Sequence, residues 1–183
     1  MNELSPVLKQ YINFKNQVPD AILFFRMGDF YELFYEDAQK AARILGITLT
    51  ARGTVRPIPM AGVPFHSAES YIAKLIRQGL SVAICEQVGE PKPGTGPVER
   101  QVVRVLTPGT VSDAAFLDDR QDNLLVSMVA DGQRYGVAVL DISAGRFNLL
   151  EVEGDEAAVG ELARLKPAEL LVSDEWEHHL LRE

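Results

Sequence analysis

A mixed α/β fold in two parts is what this sequence predicts, and three patterns predict it. Short runs rich in Val, Ile and aromatic residues alternate with stretches whose apolar residues recur at helical spacing, as expected for strands interleaved with amphipathic helices. Gly and Pro punctuate the changes of period. The charge is divided as well: residues 1–110 hold 12 Lys+Arg against 10 Asp+Glu and residues 111–183 hold 6 against 16, so the halves contribute +2 and −10 to the overall −8. We therefore divide the chain into a first domain over 1–110, a linker over 111–123 and a second part over 124–183.

Taken in order, Ser5-Pro6 offers a cap and a first-turn proline to a helix over residues 5–17, with Leu8, Tyr11 and Ile12 on its apolar side. Residues 21–26 form a strand, which turns at Met27-Gly28-Asp29 into the aromatic strand that begins at Phe30. Glu36-Asp37 open an amphipathic helix that Gly46 stops. Residues 47–50 return to strand, and 51–59 are a basic loop able to lie along a phosphate backbone. Residues 62–67 lead into a helix over 68–78, with Ser67 as its cap and Glu69 nearby. A strand over 81–88, a Gly/Pro-rich loop over 89–97 and a strand over 100–106 complete the first domain. The second part begins with three strands, over 124–130, 135–142 and 147–152, joined at Asp131-Gly132 and Ala144-Gly145. A helix over 156–165 and a strand over 169–172 follow.

Several function classes are set aside at this point. No apolar run approaches the roughly 20 residues that a spanning helix needs, and the N-terminus lacks a basic-then-apolar leader, so the expected site of action is the cytoplasm and no membrane partner is expected. Cys85 is the single cysteine, and its place in an apolar strand makes it a core residue. His66 has no Cys, His or paired acid at ligand spacing, so no metal site is expected; a phosphate or sugar contact at the following helix start suits it better.

The most informative stretch is residues 24–36. By alternation Phe30, Glu32 and Phe34 share one strand face, while Tyr31, Leu33 and Tyr35 share the other, which is the expected core face. A buried, unpaired carboxylate costs several kcal/mol, so Glu32 implies either a wet face or a partner. No acid occurs between Ala38 and Ala68, whereas Lys40, Arg43, Arg52, Arg56 and His66 do, a positive segment in an acidic protein. Arg100 and Arg104 fall on one face of their strand by alternation, a placement suited to a strand beside DNA or to any wet face.

Phe30-Tyr31-Glu32, set within Arg26-Met27-Gly28-Asp29-Phe30-Tyr31-Glu32-Leu33-Phe34, resembles the mismatch-reading motif of the MutS family of DNA mismatch repair proteins. The resemblance continues through Ile58-Pro59-Met60-Ala61-Gly62-Val63-Pro64-Phe65-His66, Val82-Ala83-Ile84-Cys85-Glu86-Gln87, Pro97-Val98-Glu99-Arg100 and Val105-Leu106-Thr107-Pro108-Gly109-Thr110. It implies a mismatch-binding domain followed by the start of a ribonuclease-H-like connector domain, with the 183 residues ending before that fold would close. It also implies Phe30 and Glu32 as the mismatch-binding pair. Arg52, Arg56, His66, Arg100 and Arg104 are the candidate DNA-backbone contacts.

Further expectations follow from the family. The partners are duplex DNA with a mispair or small loop, the protein MutL through the connector, and a second copy of the full-length protein. No Gly-x-x-x-x-Gly-Lys-Ser/Thr is present; Pro108-Gly109-Thr110 and Gly94-Thr95-Gly96 both lack the lysine. No cofactor is therefore expected within these residues, and the family's ATP and Mg²⁺ belong to an ATPase domain elsewhere. Two other readings stand beside this one. The acidic second part could be a protein-interaction module, or Asp141, Glu151 or Glu153, and Asp174 could imitate the carboxylate set of a two-metal nuclease.

Overall fold

The structure, a computed structural model, describes residues 5–53, 57–89, 98–112, 116, 122–174 and 176. It divides into two compact units, Met1–Leu106 and Thr107–Glu183. Both units are α/β, as the sequence predicts.

The first unit is built on a six-stranded mixed sheet. Its strands are β1 (Ile22–Met27), β2 (Phe30–Phe34), β3 (Thr50–Arg52), β4 (Ile58–Pro64), β5 (Val82–Gln87) and β6 (Arg100–Leu106), ordered β3-β4-β2-β1-β5-β6. Only β1 and β5 run parallel. The helices are α1 (Pro6–Gln17), α2 (Tyr35–Leu45) and α3 (Ala68–Arg77), with a 3-10 turn at Phe65–Ser67.

Cross-strand partners share a face, so the register assigns the two sides of the sheet. Leu23, Phe25, Phe34, Ala83 and Cys85 pack with Leu8 and Tyr11 of α1. Tyr11 meets Phe25 and Phe34 edge-on, at 5.5 and 4.9 Å between ring centres. Burial pushes the Cys85 thiol up to about 12, as befits an inert core residue.

A buried carboxylate ties these elements together. Asp37 accepts hydrogen bonds from the Leu23 N–H (2.9 Å), the Tyr11 hydroxyl (3.1 Å) and the Lys15 ammonium (2.9 Å), linking α1, β1 and α2. Burial first, and then the Asp37 charge, raise the Tyr11 phenol well above its ordinary pKa, so it stays a donor.

Several expected elements differ. The strand expected at 47–50 lies instead at Thr50–Arg52, and much of the expected basic loop is in β3 and β4, which pair antiparallel; residues 54–56 lie outside the described residues. β4 was hidden by Pro59, Gly62 and Pro64, which read as loop; the two prolines sit near the strand's ends, where a missing N–H matters least. Ser67 occupies the N-cap position of α3 as expected, but its side chain makes no capping hydrogen bond and its Oγ donates instead to the Pro64 carbonyl at 3.3 Å. Tyr35 is not on the strand but starts α2, with φ of 53°.

The second unit is a four-stranded sheet: β7 (Leu124–Asp131), β8 (Arg134–Asp141), β9 (Arg146–Glu153) and β10 (Glu169–Leu171), ordered β10-β7-β8-β9. The first three are the expected meander, and β10 adds in parallel to β7 after α4 (Asp155–Leu165). One face, with Val126, Met128, Tyr135, Val137 and Val139, is buried with Ala158 of α4. On the other face Val129, Leu149, Phe147 and Leu171 are exposed among the described residues.

The unit boundary falls ahead of Thr107 because the turn that follows belongs to the second unit. The Gly109 N–H donates to Glu169 Oε2 at 2.9 Å, and a Cβ at Gly109 would lie 2.8 Å from the Glu169 Cβ. Only glycine allows so close an approach.

Candidate nucleic-acid interface

The Met27–Phe30 turn depends on Gly28, whose φ of +59° suits a residue without Cβ. The turn places Phe30 first on β2, opposite Met27 on β1 and Pro64 on β4. Phe30, Glu32 and Phe34 lie on the α1 side of the sheet, as alternation requires, but α1 covers only one end of that row. Phe34 is fully buried and Phe30 is 47% exposed. The face, for which the sequence left open either water or a partner for Glu32, is graded, with core at Phe34 and open surface at Phe30.

Gly62 opposes Glu32 and offers no side chain, so the surface beside Phe30 opens into a cleft of about 540 Å³ lined by Phe30, Glu32, Ile47, Thr48, Met60 and Gly62 among others. Glu32 has the partner its position demands: Arg52 Nη1 donates to its Oε2 at 2.7 Å. Burial nevertheless raises the Glu32 pKa above the ordinary carboxylate value, with Arg52 and, more weakly, Arg100 opposing it.

The candidate backbone contacts separate into distinct kinds. Arg52 shares the Phe30 face, through the pairs Arg52–Ile58 and Thr50–Met60. Arg56 lies outside the described residues. His66 is exposed in the 3-10 turn, its ring edge-on to Phe65.

Arg100 is a correction. It is only 6% exposed, and its guanidinium donates to the Arg26 carbonyl (2.9 Å), the Val98 carbonyl (2.9 Å) and Gln10 Oε1 (2.7 Å) while lying 4.6 Å from the Phe25 ring centre. A cation so committed is scaffold and cannot reach a phosphate. Nor do Arg100 and Arg104 share a face. Cys85 pairs with Val102 and Ile84 with Arg104, so Val103 is an extra residue and this bulge sends Arg104, which is exposed, to the opposite side of the sheet.

Sequence reasoning missed Phe65. It is 43% exposed, the Arg26 guanidinium stacks 3.6 Å from its ring centre, and its N–H donates to the Asp29 carbonyl at 2.9 Å. The end of the sheet thus shows two aromatic rings, Phe30 and Phe65. The signal for Phe65 was the pairing of Pro64 with Phe30, which only a register could reveal. Behind them the Tyr31 hydroxyl bonds Glu86, and burial, then that hydrogen bond, raise the phenol to about 12.

In the second unit the nuclease constellation does not assemble. Asp141 accepts from Arg146 (2.7 Å), Ser143 Oγ (2.7 Å) and the Ala144 N–H (2.9 Å), and the Arg146 hydrogen bond leads in holding its pKa down to about 2. Glu151 and Glu153 oppose Gly136 and Arg134, at the far end of β8 from Asp141. At ~3.4 Å per residue that separation is on the order of 17 Å or more, too far to share a metal pair. Among the described residues no group of three or more His, Cys, Asp or Glu is placed to hold a metal ion. No helix among them is long and apolar enough to cross a membrane.

Two family models match the chain in order. That described as MutS domain I covers residues 5–115 and that described as MutS domain II covers residues 123–182. The first of these domains is the mismatch-binding one and the second the connector, so neither is the family's ATPase. With more than half its length matched by the first model alone, the chain belongs to the MutS family, and its role lies in DNA mismatch recognition.

Proposed function

We propose that Phe30 reads a mispair by entering the minor groove and stacking on one of its bases, which opens the stack and bends the duplex. The observation that carries this reading is a large aromatic ring, 47% exposed, held on the rigid end of a sheet beside an open cleft. Unstacking a base step costs a few kcal/mol, and less where pairing has already failed, so the protein discriminates by ease of deformation and reads no particular sequence. Arg52 and Arg104 contact the phosphate backbone, and the same role is assigned to Arg56, which lies outside the described residues. His66, beside Phe65, meets a phosphate or sugar.

The test is a pair of anisotropy titrations on G·T and matched duplexes over a range of salt. The mispaired duplex should bind more tightly, and equal binding at every salt concentration contradicts the reading. Arg104→Gln should weaken both duplexes alike and reduce the salt slope by about one. A loss confined to the mispaired duplex would place Arg104 elsewhere.

The second unit, by the same family reading, couples recognition to MutL, and the full grip on DNA belongs to a homodimer whose ATP and Mg²⁺ are held by another domain. The exposed apolar face of β7–β9 favours a protein-interaction role for this unit.

A further inference from the structure

A wedge that parts two stacked bases is pushed back by the same stack, so the turn that carries it must not yield. Phe30 is the first residue of β2, and only Gly28 and Asp29 separate it from Met27, its partner on β1. With Gly28 at a φ of +59°, such a tip is free to rock unless something outside the β1–β2 ladder holds it.

Both carbonyls of the tip are held in that way. The Gly28 carbonyl accepts from Arg26 Nε, and the Asp29 carbonyl accepts from the Phe65 N–H at 2.9 Å. The two donors are joined to each other, since the Arg26 guanidinium stacks 3.6 Å from the Phe65 ring centre. Arg26 is anchored in turn. Its Nη1 lies 3.9 Å from Glu86 Oε2 on β5, Glu86 accepts the Tyr31 hydroxyl, and the guanidinium lies 5.6 Å from the Tyr31 ring centre. Arg26 and Tyr31 are cross-strand partners, so these contacts run on the side of the sheet opposite to Phe30, behind the ring.

Neither residue is placed as an ordinary surface or core group would be. The Arg26 side chain is 16% exposed and its guanidinium is occupied by Gly28, Glu86 and Phe65, so it is not offered to a phosphate. Phe65 is 43% exposed and buries little apolar surface, yet its backbone and its ring are both fixed.

We propose that Arg26 and Phe65 are positioning residues for the wedge: stacked on one another behind the β1–β2 turn, they hold its two carbonyls and so keep Phe30 at the angle and depth from which it enters the stack. Neither touches the mispaired bases. This rests on the mismatch-reading function proposed above.

The test uses the 183-residue chain and duplexes carrying 2-aminopurine beside a G·T mispair. Fluorescence at saturating protein reads how far the stack is opened, whatever the affinity, and anisotropy reads the ratio of mispaired to matched affinity. Arg26→Met and Phe65→Ala should each lower that ratio about fivefold and reduce the fluorescence rise. Matched duplex should keep its wild-type affinity and salt slope. The double variant should lose no more than the worse single one, because either change dismantles the same support, and Phe65→Tyr, which keeps the ring, should retain both readouts. A thermal melt confirms folding; if Arg26→Met fails it, Phe65→Ala, at a half-exposed ring, makes the same test. A wild-type ratio and fluorescence rise in the folded single variants overturns this proposal alone, as does a parallel loss on matched duplex with a salt slope shallower by about one. A wild-type ratio and rise in Phe30→Ala overturns it together with the functional reading beneath it.

Discussion

Phe30→Ala is expected to abolish the preference for mispaired duplex and to leave the chain folded. The ring's exposure means that its removal takes little from the core, which is built at the other end of the same row around Phe34, Phe25 and Tyr11. What is lost is the stacking surface, worth about 1–3 kcal/mol per base, or roughly 5- to 150-fold in relative affinity. Binding to matched duplex should change little, because it depends on phosphate contacts and not on insertion. The measurement is a paired titration with a thermal melt as control. Discrimination that survives in a folded variant would show that the ring is a surface residue without a reading role.

Arg100→Met should have the largest effect on stability. The substitution takes the Arg100 donor from the Arg26 carbonyl and Gln10 Oε1, leaves the Val98 carbonyl with Gln10 Nε2 (3.2 Å), and removes the cation stacked on Phe25. Hydrogen bonds to a charged group contribute about 1.5–3 kcal/mol each, and a buried acceptor left unpaired loses its desolvation cost in full, so a loss of about 3 kcal/mol is expected. For a unit of this size the melting temperature should drop by on the order of 10 °C or more. Below the transition, DNA binding should keep the wild-type salt slope, since the guanidinium does not face a phosphate. An unchanged melt together with a shallower slope would return Arg100 to the DNA interface.

Arg100 also shows where sequence reading reaches its limit. Alternation put it beside Arg104 on a wet face, which is the ordinary inference for two cations spaced four apart on a strand. Neither the bulge at Val103 nor the internal acceptors that surround Arg100 leave a local mark, because both depend on partners far away in sequence. The same holds for β4, whose prolines and glycine argue for a loop until β2 is seen to supply its hydrogen bonds. By contrast, α1, the β1–β2 turn, the start and stop of α2 and the meander of the second unit were legible, since each is set by caps, turn residues and periodicity within a few positions.

For the site, the sequence raised the right question about Glu32 without answering it. A carboxylate among aromatics requires either water or a partner, and the partner is Arg52, twenty residues away on the edge of the sheet. That pairing turns two separately nominated residues into one unit. Phe65, stacked on Arg26 at the same end of the sheet, went unnoticed because β4, the strand that leads into it, did.

The central claim, that the Phe30 ring stacks on a base of the mispair, is open to photochemical cross-linking. A G·T duplex carrying 5-iodouracil in place of the mispaired thymine, irradiated in complex with the protein and analysed by peptide mass spectrometry, should attach the base to Phe30, with little product from the matched duplex. Attachment at another residue, or equal yield from matched and mispaired duplexes, would contradict the account.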